Sequence, residues 1–208
     1  TRFIDAILVS QLSVSRLLLG YNNSIGHKEN GVSEISSAKI PVSRLDRFHI
    51  DYYDDISSSS IRRLLASGDI ELANKYLGYE YSLSGNVVHG FGIGHKIGFP
   101  TANISPLYAD KIIPSNGSYI VSAVVDGKIF PAMLNVGSRP TFDGQENTIE
   151  LHILGYDADI YGQNLNIVFK SRLRSEQKFD SVEDLTAQLR KDKEAVESYF
   201  AKNPLSLQ

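Results

Sequence analysis

The sequence has 208 residues, enough for one large domain or two small ones, and its hydrophobic content of 42% is typical of a protein with a packed core. Its 21 basic and 24 acidic residues give a net charge of -3, which argues against a nucleic-acid partner. No apolar run approaches the ~18 residues of a membrane span, and nothing near Thr1 resembles a signal peptide. The absence of cysteine excludes disulfides and agrees with a reducing compartment, so we expect a cytoplasmic protein without a membrane partner.

The first part of the chain has the pattern of an α/β fold. Over residues 3–14 the apolar side chains recur at helical spacing, which predicts a helix. The apolar run over residues 14–19, closed by Gly20, predicts a buried strand, and a second strand is predicted around residues 48–53.

Two short helices are predicted from the stretch "ISSSSIRRLLASGDIELANKYLG". Its serines can cap a helix that ends at Gly68. Asp69 then caps a second helix, which ends at Gly78.

Beyond Tyr79 the pattern changes to short strands. Residues 119–125 and 128–135 predict two strands joined by Asp126-Gly127, a pair that tolerates the positive φ angles of a tight turn. The segments "NTIELHIL" and "NLNIVF" predict two more strands. Several strands without long helices between them indicate an antiparallel barrel or sandwich.

A final helix is predicted after Ser181, which forms a capping-box pattern with Asp184. The chain therefore divides into an α/β module over residues 1–78 and a β-rich module over residues 79–208, and the predicted fold class is α+β. The apolar stripe that should pack the final helix against the strands consists of Val182, Leu185, Leu189, Val196 and Phe200.

The second module begins near the glycine-rich stretch "HGFGIGHKIGFPTANI". A Walker loop would need Ser or Thr after Lys96, where Ile97 stands. The glycine spacing is too wide for a dinucleotide loop, and Pro100 follows where a helix should start. What remains is a flexible flap carrying His95 and Lys96, joined to a rigid Pro-Thr-Ala-Asn segment.

In an extended segment, which Pro100 favours, Thr101 and Asn103 project to the same side. A hydroxyl and an amide oxygen are neutral hard ligands that suit Mg²⁺ with water and nucleotide phosphates in its other positions. The flap would then close over the phosphates with backbone N–H groups and Lys96. Glycine-rich hairpins that end in Pro-Thr are also common turns, and the pattern alone favours that interpretation.

Two other polar segments are candidates for a site. Glu150 lies on the polar face of an apolar strand, where a carboxylate can accept the proton of an attacking hydroxyl, although strand glutamates more often face water. His152 lies on the same face, and the sequence assigns it no role. Arg172, Arg174 and Glu176 lie in a predicted polar loop, which is either solvated surface or a set of substrate contacts.

Taken in order, these segments resemble the riboflavin kinase module of the bacterial bifunctional riboflavin kinase/FAD synthetase family. "GHKIGFPTANI" is similar to the family's glycine-rich flap and PTAN motif, "IIPSNGSYIV" to its P-x-x-G-x-Y segment and "MLNVGSRPTF" to its N-x-G-x-x-P-T segment. "IELHIL" is similar to the segment with the catalytic glutamate, and "DIYG" and "RLRSEQKF" complete the set. So many motifs in one order are strong support.

The resemblance implies a Greek-key β-barrel with a C-terminal helix, which transfers the γ-phosphate of ATP to the terminal ribityl hydroxyl of riboflavin and yields FMN. It implies Glu150 as the general base and Mg²⁺ as a cofactor held by Thr101 and Asn103. Arg172 and Glu176 would help to close the flavin site. Riboflavin and ATP are the implied partners, and no protein partner is indicated. The implied nucleotide site consists of Gly94, His95, Lys96, Gly98, Pro100, Thr101 and Asn103.

The first module resembles the end of the same family's FMN adenylyltransferase domain, a Rossmann-like nucleotidyltransferase fold. Ser58, Ser59 and Arg62 stand at the positions of its SST-x-IR helix. "NNSIG" lacks the Asp, Arg and Phe of the family's strand-loop, and the His-rich nucleotide motif is absent from the sequence, so we expect no adenylyltransferase activity of this chain. The alternatives are a longer parent chain that also makes FAD, and a non-catalytic flavin- or nucleotide-binding module.

Overall fold

The chain forms two compact units, Thr1–Asp54 and Asp55–Gln208. The computed structural model describes residues 3–21, 39–46, 56–90, 94, 97–141 and 144–205. The candidate site residues fall in the second unit, so the first is treated briefly.

In the first unit, Ile4–Val9 forms a π-helical segment at the position of the first predicted helix. Its wide winding is visible at Ser10, whose N–H and hydroxyl both donate to the carbonyl oxygen of Asp5. The predicted helix is therefore confirmed, but it is shorter than the sequence pattern.

A two-stranded parallel sheet follows, formed by β1 (Leu17–Leu19) and β2 (Val42–Arg44). The strand predicted over residues 14–19 is confirmed only for Leu17–Leu19. The prediction that it is buried is wrong at Leu18, which is 59% exposed. Strand β2 was not predicted, since two of its three residues are polar. The strand predicted around residues 48–53 lies outside the described residues.

Helix α1 (Ser58–Ser67) begins after the N-cap Ser57. The Ser57 hydroxyl accepts the backbone N–H of Ser60 at 3.1 Å, and the Ser60 hydroxyl accepts the N–H of Ser57 at 2.9 Å. Two donors of the first turn are thereby satisfied. Gly68 ends the helix in the left-handed region, at φ 80°. The predicted serine cap and glycine end are both confirmed.

Helix α2 (Ile70–Leu77) follows directly, capped by the carboxylate of Asp69 and ended by Gly78 as predicted. Leu65 of α1 and Ile70 of α2 belong to the same buried core as the strands of the second unit. The compact unit begins at Asp55. The predicted boundary at residue 78 was placed where the sequence pattern changes to short strands, and it remains a prediction about sequence modules.

Six strands close into an antiparallel barrel in the order β3-β4-β7-β6-β5-β8, which confirms the predicted barrel. Strands β5, β6 and β7 follow one another as hairpins, and β8 returns to lie beside β5. The order β8-β5-β6-β7 is therefore a Greek key. The strands are β3 (Ser82–Val88), β4 (Ala102–Pro106), β5 (Gly117–Val125), β6 (Lys128–Thr141), β7 (Gly144–Ile153) and β8 (Asn164–Ser175).

The turn between β5 and β6 is the predicted Asp126-Gly127 pair, with φ angles of 49° and 74°. Positive φ at both central residues matches the twist of the flanking strands. The barrel interior is filled by side chains such as Tyr119 and Phe169, which are fully buried and meet edge to face with ring centroids 5.5 Å apart.

Helix α3 (Val182–Lys202) packs on the outer face of the barrel, as predicted. Val196 is fully buried in a second apolar cluster with Ile120 of β5 and Met133 of β6. The predicted stripe is wrong at Val182, which is 57% exposed; the stripe that faces the barrel begins one turn later, at Leu185.

The N-cap of α3 is Ser181, whose hydroxyl accepts the N–H of Asp184 at 3.0 Å. The Asp184 carboxylate accepts a hydrogen bond from the Ser181 hydroxyl at 2.6 Å.

In the part of the chain that the structure describes, no helix combines the length and apolar character needed to cross a membrane.

Candidate active site

A row of polar side chains crosses the outer face of the barrel. Each member lies opposite the next in the strand register, from β4 through β7, β6 and β5 to β8. Paired residues of antiparallel strands project from the same face. The neighbours of Glu150 and Asn135 along their strands belong to the barrel core, so by alternation the row faces outward. This polar row consists of Asn103, Glu150, Asn135, Ser118 and Arg174.

The last four members of the polar row line a cavity of about 260 Å³, which α3 also borders. Apolar side chains line the same space, among them Phe99, Phe179 and Leu189. A carboxylate, an amide and a hydroxyl therefore line the same cavity as two aromatic rings. Such a wall suits a ligand that has a flat apolar part and a hydroxylated part.

The predicted flap glycines occur in a tight turn beside this cavity. The carbonyl oxygen of Gly94 accepts the N–H of Ile97 at 3.2 Å and that of Phe99 at 2.9 Å. Gly98 has φ 79°, a left-handed conformation that favours glycine. Gly94 lines the cavity directly.

Pro100, Thr101 and Asn103 lead from this turn into β4, which confirms that the segment enters an extended strand. Thr101 lines the cavity together with Glu150. His95 and Lys96 lie outside the described residues, so their assignment to a nucleotide flap stays a prediction.

The donor set at this point fits Mg²⁺. Asn103 lies opposite Glu150 in the register, and Thr101, two residues earlier, is expected on the same face. The Thr101 hydroxyl and the Asn103 amide oxygen are neutral hard ligands that suit Mg²⁺. Glycines keep the space open: a Cβ on Gly94 would lie 3.2 Å from the Thr101 hydroxyl, and one on Gly90 would collide with the Asn103 carboxamide.

His152 joins β7 to the proline of this segment. Its Nδ1 lies 2.7 Å from the carbonyl oxygen of Pro100 and must carry the proton, because a carbonyl only accepts. The ring also meets Phe99 edge to face, at 5.4 Å between centroids. Burial lowers the pKa of His152; the bond to Pro100 opposes this shift, and Lys193 and Asp157 have smaller effects of opposite sign.

Arg174 fastens the end of β8 to α3. Its Nε and Nη2 atoms donate to Oδ2 of Asp192 at 3.0 and 2.8 Å, and Gln188 donates to Oδ1 at 2.8 Å. Asp192 is only 5% exposed. The Arg174 guanidinium also lies over the ring of Phe179, 5.7 Å from its centroid. One wall of the cavity is thereby fixed by a buried ion pair.

Arg172 and Glu176, which were predicted to close the flavin site together, have different surroundings. Arg172 donates to the carbonyl oxygens of Ser67 at 3.0 Å and Asn116 at 2.8 Å. Glu176 lines the cavity and accepts the Asn116 side-chain amide at 2.9 Å. Asn116 therefore connects Arg172 to Glu176.

The prediction that Arg172 and Arg174 lie in a loop is wrong, because β8 continues to Ser175. Tyr119 pairs with Arg172 and the preceding residue, Ser118, pairs with Arg174, so β8 has one extra residue at this point. Such a bulge turns the two arginines to opposite faces of the sheet.

Thr101 also lines a second cavity, of about 420 Å³. The "DIYG" segment contributes Asp159 and Tyr161 to its wall. The ring of Tyr161 stacks on His89 with centroids 4.0 Å apart. The two cavities thus share a lining residue, Thr101, which belongs to the predicted metal site.

The three residues of the predicted adenylyltransferase motif, Ser58, Ser59 and Arg62, lie in the first turns of α1 and are exposed. They belong to the second compact unit.

Sequence reasoning gave no role to two members of the polar row, Asn135 and Ser118, and it considered Arg174 only as a possible substrate contact in the predicted polar loop. The available signal was an isolated polar residue at an outward position of an apolar strand, as at Asn135 in "MLNVG". That signal does not show which residues of the neighbouring strands lie beside such a residue.

The sequence matches the model of the Flavokinase family, described as riboflavin kinase, over residues 77–200. The bifunctional riboflavin kinase/FMN adenylyltransferase of Listeria monocytogenes is 38% identical over 96% of this chain and 64% of that protein. The Bacillus subtilis protein of the same name is 34% identical over 96% of this chain and 65% of that protein.

A crystal structure described as a macrolide-efflux protein from Streptococcus pneumoniae has a TM-score of 0.74 and 31% identity, covering 86% of this chain and 58% of that one. The chain spans 64% and 65% of the length of the two curated relatives. Since the family match covers more than half of its 208 residues, this chain belongs to the riboflavin kinase family.

Proposed function

We propose that this chain is a riboflavin kinase that transfers the γ-phosphoryl group of ATP to the terminal ribityl hydroxyl of riboflavin, yielding FMN and ADP. Family membership supports this reaction, and one observation carries the assignment of the site: Glu150 and Thr101 line the same cavity. A base and a phosphate-side ligand that face one space provide the positioning that phosphoryl transfer requires.

Glu150 is the proposed general base. Its carboxylate accepts the hydroxyl proton as the ribityl oxygen bonds to the γ-phosphorus, while the bond from that phosphorus to the bridging oxygen breaks and ADP leaves. Asn135 lies opposite Glu150 in the register, and its amide is able to orient the carboxylate or the hydroxyl.

The two cavities that meet at Thr101 suit two substrates. We assign riboflavin to the cavity of the polar row, because its aromatic and polar walls match a flat ring system with a hydroxylated chain. We assign ATP to the second cavity and to the turn of Gly94, Gly98 and Pro100. Thr101 and Asn103 would hold Mg²⁺, which when bound supplies positive charge that neutralises the phosphates.

Replacing Glu150 with Gln tests the assigned base. The amide keeps the shape of the side chain but does not accept the proton, so we expect turnover to fall by about 100-fold or more while riboflavin affinity stays close to that of the wild type. Glu71→Gln is the matched control, because Glu71 is an exposed residue of α2 and should leave turnover unchanged. Unchanged turnover of the Glu150 variant would refute the base.

The flavin-site residues are tested separately. We propose that Glu176 contacts riboflavin, since it lines the cavity, and that Arg172 acts on it through Asn116. Both Glu176→Gln and Arg172→Ala should then weaken riboflavin binding, whereas loss of affinity in neither variant would remove them from the flavin site.

A second activity is proposed for a longer parent chain only. The curated relatives are named as bifunctional, and the exposed residues Ser58, Ser59 and Arg62 match the adenylyltransferase motif. We expect FMN but no FAD from the chain described here.

A non-catalytic flavin-binding module would instead bind riboflavin and leave ATP unchanged, even with Mg²⁺ present. The proposed location of the reaction is the cytoplasm, in agreement with the absence of cysteine.

A further inference from the structure

A single side-chain hydrogen bond continues the connection between β4 and β7 where backbone pairing stops. The pairing of these two strands ends at Ala102. One step further in the register, Thr101 would lie opposite His152. Pro100 has no N–H with which to extend the ladder, and the His152 ring instead donates from Nδ1 to the Pro100 carbonyl oxygen at 2.7 Å.

This bond lies between the two halves of the proposed site. Thr101 follows Pro100 directly, and Glu150 precedes His152 by two residues on the same face of β7. Few rotatable bonds separate this hydrogen bond from Thr101 on one side and from Glu150 on the other. It therefore constrains the distance between the proposed metal ligand and the proposed base.

The surroundings of the ring hold it in place. Phe99, which is 7% exposed, packs edge to face on the imidazole, and Met133 lies opposite His152 in the register with β6. Burial keeps the ring in its neutral form near neutral pH. The bond from the neutral ring fixes the proton on Nδ1, which leaves Nε2 as an acceptor.

We infer that His152 is a positioning residue of the transfer reaction: its hydrogen bond to the Pro100 carbonyl holds Thr101 at the separation from Glu150 that the two substrates require. The inference rests on the proposed kinase function. His152 is not assigned a proton-transfer step, and its effect is exerted through Pro100 and the residue that follows it.

Two variants of the full chain separate the hydrogen bond from the ring. His152→Phe keeps an aromatic ring against Phe99 but removes the donor, whereas His152→Asn places an amide N–H near the position of Nδ1. We expect the phenylalanine variant to lose about 100-fold in kcat, since small displacements of positioned groups have effects of that size. Riboflavin affinity, measured by quenching of flavin fluorescence, should change by less than about threefold, and the asparagine variant should recover most of the turnover.

A readout independent of catalysis is amide hydrogen exchange of a peptide that covers residues 99–104. Exchange there should be faster in His152→Phe than in the wild type, and His152→Asn should restore the slow rate. Wild-type turnover in His152→Phe, or equal losses in the two variants, would overturn the inference. If the wild-type chain made no FMN, the proposed function would fail, and unchanged exchange in His152→Phe would separately show that His152 does not hold the segment.

Discussion

Replacing Asp192 with Ala tests whether the Arg174 ion pair fastens α3 to the barrel. Asp192 is 5% exposed, and its carboxylate binds two nitrogen atoms of Arg174 and the amide of Gln188. Removing one partner of a buried pair leaves the other charge without compensation, which costs about 3–5 kcal/mol. The Arg174 side chain is 18% exposed, so solvent compensates part of this cost. We therefore expect Asp192→Ala to lower the free energy of unfolding by about 3 kcal/mol.

Urea denaturation gives the measurement. The chain has no tryptophan, so far-UV circular dichroism and tyrosine fluorescence are the probes. With a slope of about 2 kcal/mol/M, a loss of 3 kcal/mol shifts the midpoint by about 1.5 M. Replacing both partners by apolar residues, as Arg174→Met with Asp192→Leu, should restore most of the stability, because no unpaired charge is then left buried.

The control is Lys193→Ala on the same helix. Lys193 pairs with Glu197 at 3.9 Å, but both side chains are about half exposed, and such pairs contribute about 0.3–0.5 kcal/mol. The reasoning is refuted if Asp192→Ala is as mild as this control, or if the double apolar variant is as unstable as Asp192→Ala.

Three further predictions concern a helix cap, a glycine and pH. Ser57→Ala removes the cap of α1 and its reciprocal bonds with Ser60, and should destabilise the fold by about 1 kcal/mol in urea; Ser57→Asn, which can cap, should not. Gly85→Ala places a methyl group against Ile104 and 2.8 Å from a backbone oxygen, which should cost about 1–3 kcal/mol by the same assay; an unchanged midpoint would contradict this. Burial lowers the pKa of His152 below 6.5, so the imidazole binds a proton more strongly in the unfolded chain than in the folded one. As pH falls below about 6.5, the wild type should therefore lose stability relative to His152→Asn, by at most about 1.4 kcal/mol per pH unit. Parallel urea curves of the two proteins down to about pH 5.5 measure this, and no divergence would show that the imidazole is not held neutral.

Local chemistry made several elements predictable. The Asp126-Gly127 turn, the ends of α1 and α2 at glycine and the Ser181 cap each depend on one or two residues whose backbone preferences are strong. The barrel followed from several such strands in sequence. These features needed no knowledge of distant parts of the chain.

Strand β3 was not predicted, although Leu83, Gly85 and Val87 alternate as buried residues. Gly85 and Asn86 have low β-propensity. The strand is held by partners far along the chain, since it pairs with β4 on one side and β8 on the other. Tertiary pairing outweighs local preference at this position.

The geometry of the candidate site could not be predicted from the sequence. Arg172 and Arg174 are two apart, so regular alternation would place them on one face, and only the bulge in β8 separates them. The polar row joins residues from five strands, and a sequence contains no register from which that neighbourhood could be read. For the same reason no role was predicted for His152, whose partner Pro100 is 52 residues away.

The measurement that tests the central claim most directly is incubation of the purified chain with riboflavin, ATP and Mg²⁺, followed by chromatographic separation of riboflavin, FMN and FAD. We predict FMN as the only flavin product, formed by the wild type and at least about 100-fold more slowly by Glu150→Gln. Bound riboflavin without any FMN would contradict the kinase and favour a binding module. FAD alongside FMN would contradict the expectation that the chain described here has no adenylyltransferase activity.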